Sequence, residues 1–216
     1  MLMESNQPSM LALLEAHADT HGDTLAHVLP VRDITYRRLW SRIERGSARL
    51  HGEWGVKAGD LVAYVGHGHP DAIVLYFSLL RIGASLLPLE AMPISEVDKA
   101  LSVMPPALVV HDEHAYSGAR TARPLEELLA VWSHHEPQIA ADDATQRALW
   151  LPDSGGRWQA TSLFELCAAM PAMPRSSFVA DRIFTADLLV HVVLPSLRDA
   201  RRMQFAATDR MADTGS

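Results

Sequence analysis

Two patterns of apolar residues alternate along the chain. Short apolar runs occur at Leu25 to Leu29, Leu61 to Val65, Ser85 to Leu89, Ala107 to Val110 and Arg147 to Leu151. Between them lie longer stretches in which apolar positions return every three or four residues. The first pattern reads as strands buried on both faces, the second as helices packed on them. Ser9 is placed to cap a helix carrying Leu11, Leu14 and Ala18. Thr35 is placed to cap another, Tyr36 to about Leu50, with Tyr36, Leu39, Trp40, Ile43 and Leu50 on its apolar face and Arg37, Arg38, Arg42, Glu44, Arg45 and Arg49 around it. A third helix opens with Pro70 at its first position, runs to Arg81 and closes at Gly83. It is apolar nearly all round, which places it between layers. Ser95 is expected to cap a fourth, Glu96 to Ser102, with a short helix at Pro124 to Ala130. Ser162 should cap another to about Met170, and Ala186 to Arg198 reads as the last. Ile34-Thr35, Trp158 to Thr161, Phe178 to Phe184 and Met203 to Ala207 read as further extended segments, and Pro171 and Pro174 as a linker. The alternation predicts an α/β fold with a mainly parallel sheet flanked by helices. One domain is expected over 1–207, followed by a polar tail over 208–216.

Composition narrows the function classes. The chain has 216 residues, 48% of them hydrophobic, enough to build a core without covalent staples. There are 19 Lys+Arg against 26 Asp+Glu, a formal charge of −7, which argues against a nucleic-acid surface. Lys57 and Lys99 are the only lysines. A single cysteine, Cys167, excludes a disulfide framework and a four-cysteine zinc site. The longest apolar-rich stretch, Ala72 to Leu89, is broken by Arg81, Gly83 and Pro88, so no membrane span is expected. The N-terminus carries no basic segment before Pro8, and a cytoplasmic protein is the expectation.

An ordered set of short motifs lies between residues 34 and 90. These are Thr35-Tyr36 with Leu39 opening a helix, Gly55-Val56, Gly59-Asp60, Val62-Ala63, Pro70 opening a helix, Gly83-Ala84 and Pro88-Leu89. In this order they resemble the N-terminal region of the adenylate-forming (AMP-binding) superfamily, which includes acyl- and aryl-CoA ligases and the adenylation domains of peptide synthetases. The resemblance continues more faintly through Ala107 to Asp112 and Ala186 to Ala200, where Asp199 stands in place of a family glycine. It implies the fold of the N-terminal subdomain of those enzymes, a scaffold that holds little of their chemistry.

That chemistry begins, in the family, at a Ser/Thr/Gly-rich loop whose backbone N–H groups and lysine cradle ATP phosphates. The resemblance puts its counterpart after the strand at Arg147 to Leu151, at Pro152-Asp153-Ser154-Gly155-Gly156-Arg157. Ser154, Gly155 and Gly156 are the vestige of that loop. The threonines and the lysine are gone, and Asp153 puts a carboxylate where phosphate would bind. An ordinary Gly-Gly turn explains the same residues. The family's substrate-helix histidine would fall near Phe184 and is missing. Its adenine-binding segment, ribose-binding aspartate and mobile C-terminal domain are expected to lie beyond this length.

Other clusters carry less. His111-Asp112-Glu113-His114 has metal-ligand residue types, but neighbours on one loop do not readily converge on an ion. His67-Gly68-His69 sits where α/β folds bind ligands, at the end of a strand before a helix. Cys167 reads as a buried small hydrophobe, and Arg198, Arg201 and Arg202 as a solvated turn. The expected function is that of a non-catalytic ligase-like protein acting as a binding, accessory or assembly module through an exposed apolar face. No catalytic residue, metal or cofactor is expected, with ATP or AMP as a weaker alternative. The expected partner is a second copy, a full-length ligase or another pathway enzyme. Two alternatives stand beside it: one half of a split acyl- or aryl-acid ligase completed by another chain, or a small acyl or nucleotide binder.

Overall fold

Short apolar runs bounded by turns pair side by side because each is buried on both faces and must satisfy its backbone within the sheet. In the computed structural model, which describes residues 9–28, 33–112, 121–130, 137, 139–140, 147–153, 155–171 and 183–205, they form a six-stranded sheet. Its strands are β3 (Leu61–Gly66), β4 (Ser85–Glu90), β5 (Leu108–His111), β6 (Ala122–Pro124), β7 (Arg147–Pro152) and β8 (Trp158–Ser162), in the order β6-β5-β3-β4-β7-β8. Every pairing is parallel except β7 with β8, an antiparallel hairpin. β3 and β4 pair in register along their length, through Tyr64↔Pro88. Pro88 has no N–H to donate, and β4 meets β7 only at Leu86↔Leu149. A smaller sheet joins β1 (Leu25–Val28) to β2 (Asp33–Thr35) antiparallel and to β9 (Met203–Gln204) parallel.

Residues alternate between the two faces of the large sheet, and so do the cores they build. One face belongs to the larger core, with Val62, Tyr64, Leu86, Leu108, Val110, Leu149 and Leu151. Helix α3 (Asp71–Ile82) lies over it, buried throughout except at Arg81, as its all-round apolar sequence requires. Helix α2 (Tyr36–Gly52) packs outside α3 through small residues. A Cβ at Gly46 would enter the contact distance of Ser78 Oγ and lie 3.2 Å from Ser78 Cβ. The side chains of Ser47 and Ser78 both donate to the Ile43 carbonyl. Helix α1 (Met10–Thr20) closes the end through Met10 and Leu14. On the opposite face Ala63, Val65, Leu87, Leu89 and Val109 meet Val97 and Ala100 of α4 (Ile94–Val103). Half-buried Trp150 and Trp158 extend this smaller patch across β7 and β8. No helix among the described residues is long and apolar enough to cross a membrane.

Several element ends depart from the sequence reading. Pro70 is the N-cap of α3, not its first residue. Helix α4 starts at Ile94 with Pro93 as N-cap, so Ser95 lies in the first turn and caps nothing. The Pro93 carbonyl takes the N–H groups of Glu96 and Val97. Leu125–Leu129 is a 3₁₀ turn, and α5 (Leu163–Ala168) ends two residues before Met170. The last helix is three pieces: α6 (Ala186–Leu188), a π turn (Leu189–Val193) and α7 (Leu194–Arg198). Pro195 has no N–H for the carbonyl four residues back, and the widened turn directly precedes it. Ile183 and Phe184 are not in a strand, and 178–182 lie outside the described residues. Strand β9 is two residues long, and the tail over 208–216 also lies outside them. The smaller sheet as a unit, and β6, are absent from the sequence reading.

Candidate functional site

A crevice opens in a parallel sheet where neighbouring strands send their chains to opposite faces. β3 leads into α3 on one face and β4 into α4 on the other, so the crevice falls at Gly66 and Glu90. Asp112, just past β5, closes one side. Tyr64 Oη donates to Asp112 Oδ2 at 2.6 Å, and the His67 N–H points at both carboxylate oxygens, 3.2 and 3.3 Å away. The His69 N–H donates to Tyr64 Oη. Gly66 is required here, because a Cβ would run into the Asp112 carboxylate. Burial and the neighbouring Asp112 charge push the Tyr64 hydroxyl well above its ordinary pKa.

Glu90 closes the other side. Its carboxylate is buried, and Oε2 accepts the N–H groups of Ile183 and Phe184 at 2.8 and 2.7 Å. A buried charge needs such donors, and two backbone amides from a segment 93 and 94 residues away supply them. The Phe184 ring packs edge-on against Tyr64 and Tyr76, with centroids 6.3 and 5.8 Å apart. Ala91, next to Glu90, holds φ 51° in the left-handed region and donates its N–H to the Gly66 carbonyl at 2.7 Å. The chain's own Phe184 segment thus lies on Glu90 at one side of the crevice. Sequence reasoning missed Glu90 and Tyr64; the available signal was an acid ending an otherwise apolar strand.

The loop after β7 is the sequence's candidate phosphate site. It is the turn of the β7–β8 hairpin, and Gly155 and Gly156 are exposed there, Gly156 at φ 76°. Ser154 lies outside the described residues. The Gly155 and Arg157 N–H groups donate to Asp153 Oδ1 at 2.8 and 2.9 Å. Arg157 Nε and the Gln159 amide donate to Oδ2 at 3.1 and 3.4 Å. These bonds, the Arg157 N–H first, hold the Asp153 carboxyl below its ordinary pKa. The donors that would face an external anion are turned onto an internal one.

The remaining candidates separate. His111 ends β5, while Glu113 and His114 lie outside the described residues. Cys167 is half-buried, not buried as expected, and burial pushes its thiol up to about 11. Asp199 sits between Arg198 and Arg201, at 2.7 and 3.7 Å, so two arginines of the expected solvated turn are paired. His191 lies beside Asp187 one turn back on the π-turn segment.

Comparison with known proteins places these features. The family described as AMP-binding enzyme matches residues 14–178. The chain is 29% identical over 94 residues to the D-alanine–D-alanyl carrier protein ligase of Bacillus licheniformis, covering 43% of this chain and 18% of that one. It is 32% identical over 119 residues to a feruloyl-CoA synthase of an Amycolatopsis species, covering 53% and 22%. Among solved structures, the N-terminal subdomain of Klebsiella oxytoca NpsA superposes with a TM-score of 0.76 at 18% identity, over 95% of this chain and 56% of that one. The Bacillus subtilis O-succinylbenzoate coenzyme A synthetase superposes with a TM-score of 0.76 at 13% identity, over 93% and 47%. The chain therefore spans about a fifth of the length of these two curated relatives and about half of the solved chains.

Proposed function

Because this chain belongs to the AMP-binding enzyme family, we propose that it serves as a ligase-like docking module, corresponding to the scaffold part of an N-terminal adenylation subdomain and offering an apolar face to a protein partner. In this reading it does not itself carry out adenylation. The observation that carries it is the Asp153 loop, whose donors are engaged by their own carboxylate. A nucleotide phosphate there would meet Asp153, and no lysine stands in the loop to offset it. The Glu90 carboxylate at the crevice is likewise engaged within the chain, by the Ile183 and Phe184 N–H groups. The half-buried Trp150 and Trp158, on the face carrying only α4 among the described residues, supply apolar surface for a partner. The partner is a second copy, a ligase or another enzyme of the same pathway, in the cytoplasm.

Calorimetry with ATP, AMP and an aromatic acyl-CoA at millimolar concentration tests the reading. No binding heat is the expected result, and saturable ATP binding would overturn it. A second reading is favoured by the share of the solved ligases that the chain spans: one half of a split acyl- or aryl-acid ligase, completed by another polypeptide. Its signature is pyrophosphate exchange that appears only when this chain is mixed with a ligase lacking the equivalent N-terminal region. The third, a stand-alone acyl or nucleotide binder, is decided by the same calorimetry.

A further inference from the structure

One histidine is buried where the fold does not answer its chemistry. His27 of β1 is fully buried, and neither ring nitrogen has a hydrogen-bond partner among the described residues. Buried polar side chains ordinarily have at least one. Among the described residues, two charged groups act on the ring: Arg42 of α2 and Asp71 of α3, which are bound to each other at 2.5 Å. Ile34 of β2 and Met203 of β9 lie opposite His27 in the small sheet and carry no charge. The Phe205 ring packs edge-on against the imidazole, with centroids 5.4 Å apart. A proton added to the closed ring would be a buried charge near Arg42, and the Asp71 carboxylate is already bound to that arginine. In water the same ring takes a proton readily.

The cover over the ring is uneven. Helices α2 and α3 belong to the larger core. Strand β9 is two residues long and, among the described residues, pairs with β1 alone. The chain just before it is fixed: the Arg201 N–H donates to the Ser196 carbonyl at 2.8 Å, and the Arg201 carbonyl accepts the Tyr36 hydroxyl at 2.8 Å. An opening that leaves the core intact therefore swings residues 203–205 away from β1, with Arg201 as the fixed point. We propose that His27 is a proton-operated latch: uptake of a proton by its ring releases β9 and Phe205 from β1 while the large sheet stays closed. Protons act here as a ligand of the open form and draw the equilibrium toward it. The latch is a property of the small sheet and stands whether the chain docks a partner or completes a ligase.

Hydrogen exchange on the full chain tests this, read as protection factors so that the chemical pH dependence of exchange is removed. Burial holds the closed ring at a pKa of about 4 against the ordinary 6.5, so β9 is expected to lose about twentyfold in protection between pH 7 and pH 5. A local opening exposes little surface, so this loss should not change with low concentrations of urea, whereas exchange at Val62 to Val65 should accelerate with it. In His27→Leu the pH dependence of β9 is expected to vanish. Should that variant fail to fold, His27→Gln, polar but without a titration in this range, takes its place. Equal protection of β9 at both pH values overturns the proposal, as does a loss that persists in the variant. So does a β9 that responds to urea as steeply as β3, because the proton would then act only through global unfolding.

Discussion

At the scale of single residues, His27 is a buried group whose burial makes the fold sensitive to acid. Its ring is buried against Phe205, and neither nitrogen has a hydrogen-bond partner among the described residues. Burial lowers its pKa from 6.5 to about 4, with the Arg42 charge adding to the effect and Asp71 opposing it. The unfolded chain takes up that proton first. The stabilisation is therefore complete above about pH 6.5 and is lost as pH falls from there toward 4. The loss amounts to about 3 kcal/mol for a shift of this size. Urea midpoints measured across that range should slope for the wild type and flatten for His27→Leu. Glu90 gives a second prediction. Glu90→Ala strands the Ile183 and Phe184 amides in an apolar setting and should cost roughly 2–3 kcal/mol, whereas Glu90→Gln, which keeps an acceptor oxygen, should cost less. Chemical denaturation of the two variants checks the ranking. The sequence marks Gly155, Gly156 and Asp153 as a loop with the wrong charge for phosphate, and in the structure the Gly155 and Arg157 N–H groups donate to Asp153. Glu90 and its amides were not legible, because the partners lie more than ninety positions apart and pattern reading sees only near neighbours.

At the scale of elements, α2 and α3 depend on a close approach at Gly46. A glycine to alanine change inside a helix ordinarily stabilises it by about 1 kcal/mol. Here the new methyl would strike Ser78, so Gly46→Ala should instead destabilise by roughly 1–3 kcal/mol. Ser78→Ala, which removes the struck oxygen, should recover part of the loss; a double-mutant cycle on thermal unfolding reads the coupling. Ser162 closes a capping box with Glu165, the Glu165 N–H donating to Ser162 Oγ at 3.1 Å and the Ser162 N–H to Glu165 Oε2 at 2.7 Å. Ser162→Ala should cost about 1 kcal/mol in the same assay. Strands β3, β4, β5 and β7 and helices α1 to α3 were legible because each has a clean period and, for the helices, a cap or stop. The π turn was not: its cause, Pro195, was in plain view, but a proline there predicts a kink without choosing its form. The strands of the small sheet were read one by one, at Leu25 to Leu29, Ile34-Thr35 and Met203 to Ala207, but strands of two and three residues carry too few positions to show which of them pair.

At the scale of the whole molecule, the two sheets should differ in how readily they open. The large sheet carries a core on each face, with α3 over one and α4 over the other, while the small one is held by β1 alone between two very short partners. Amide exchange is expected to leave Val62 to Val65 and Leu86 to Leu89 protected longest and to release β1 much earlier. Equal protection across both sheets would contradict this. The small sheet and the helices beside it join distant parts of the sequence: His27 lies beside Met203, the Tyr36 hydroxyl of α2 reaches the Ser196 carbonyl 160 positions on, and His17 Nε2 of α1 meets the Arg198 carbonyl 181 positions on. The chain leaves the ribosome from its N-terminal end. At typical synthesis speeds, α1 and β1 wait roughly 10–40 s for the segment that covers them, while β3, α3 and β4 can assemble as soon as they emerge. During that interval Ala26, Ile34 and the Tyr36 ring, all buried in the finished fold, have no C-terminal cover. Whatever holds the nascent chain soluble must therefore shield this apolar stretch until Met203 has been made.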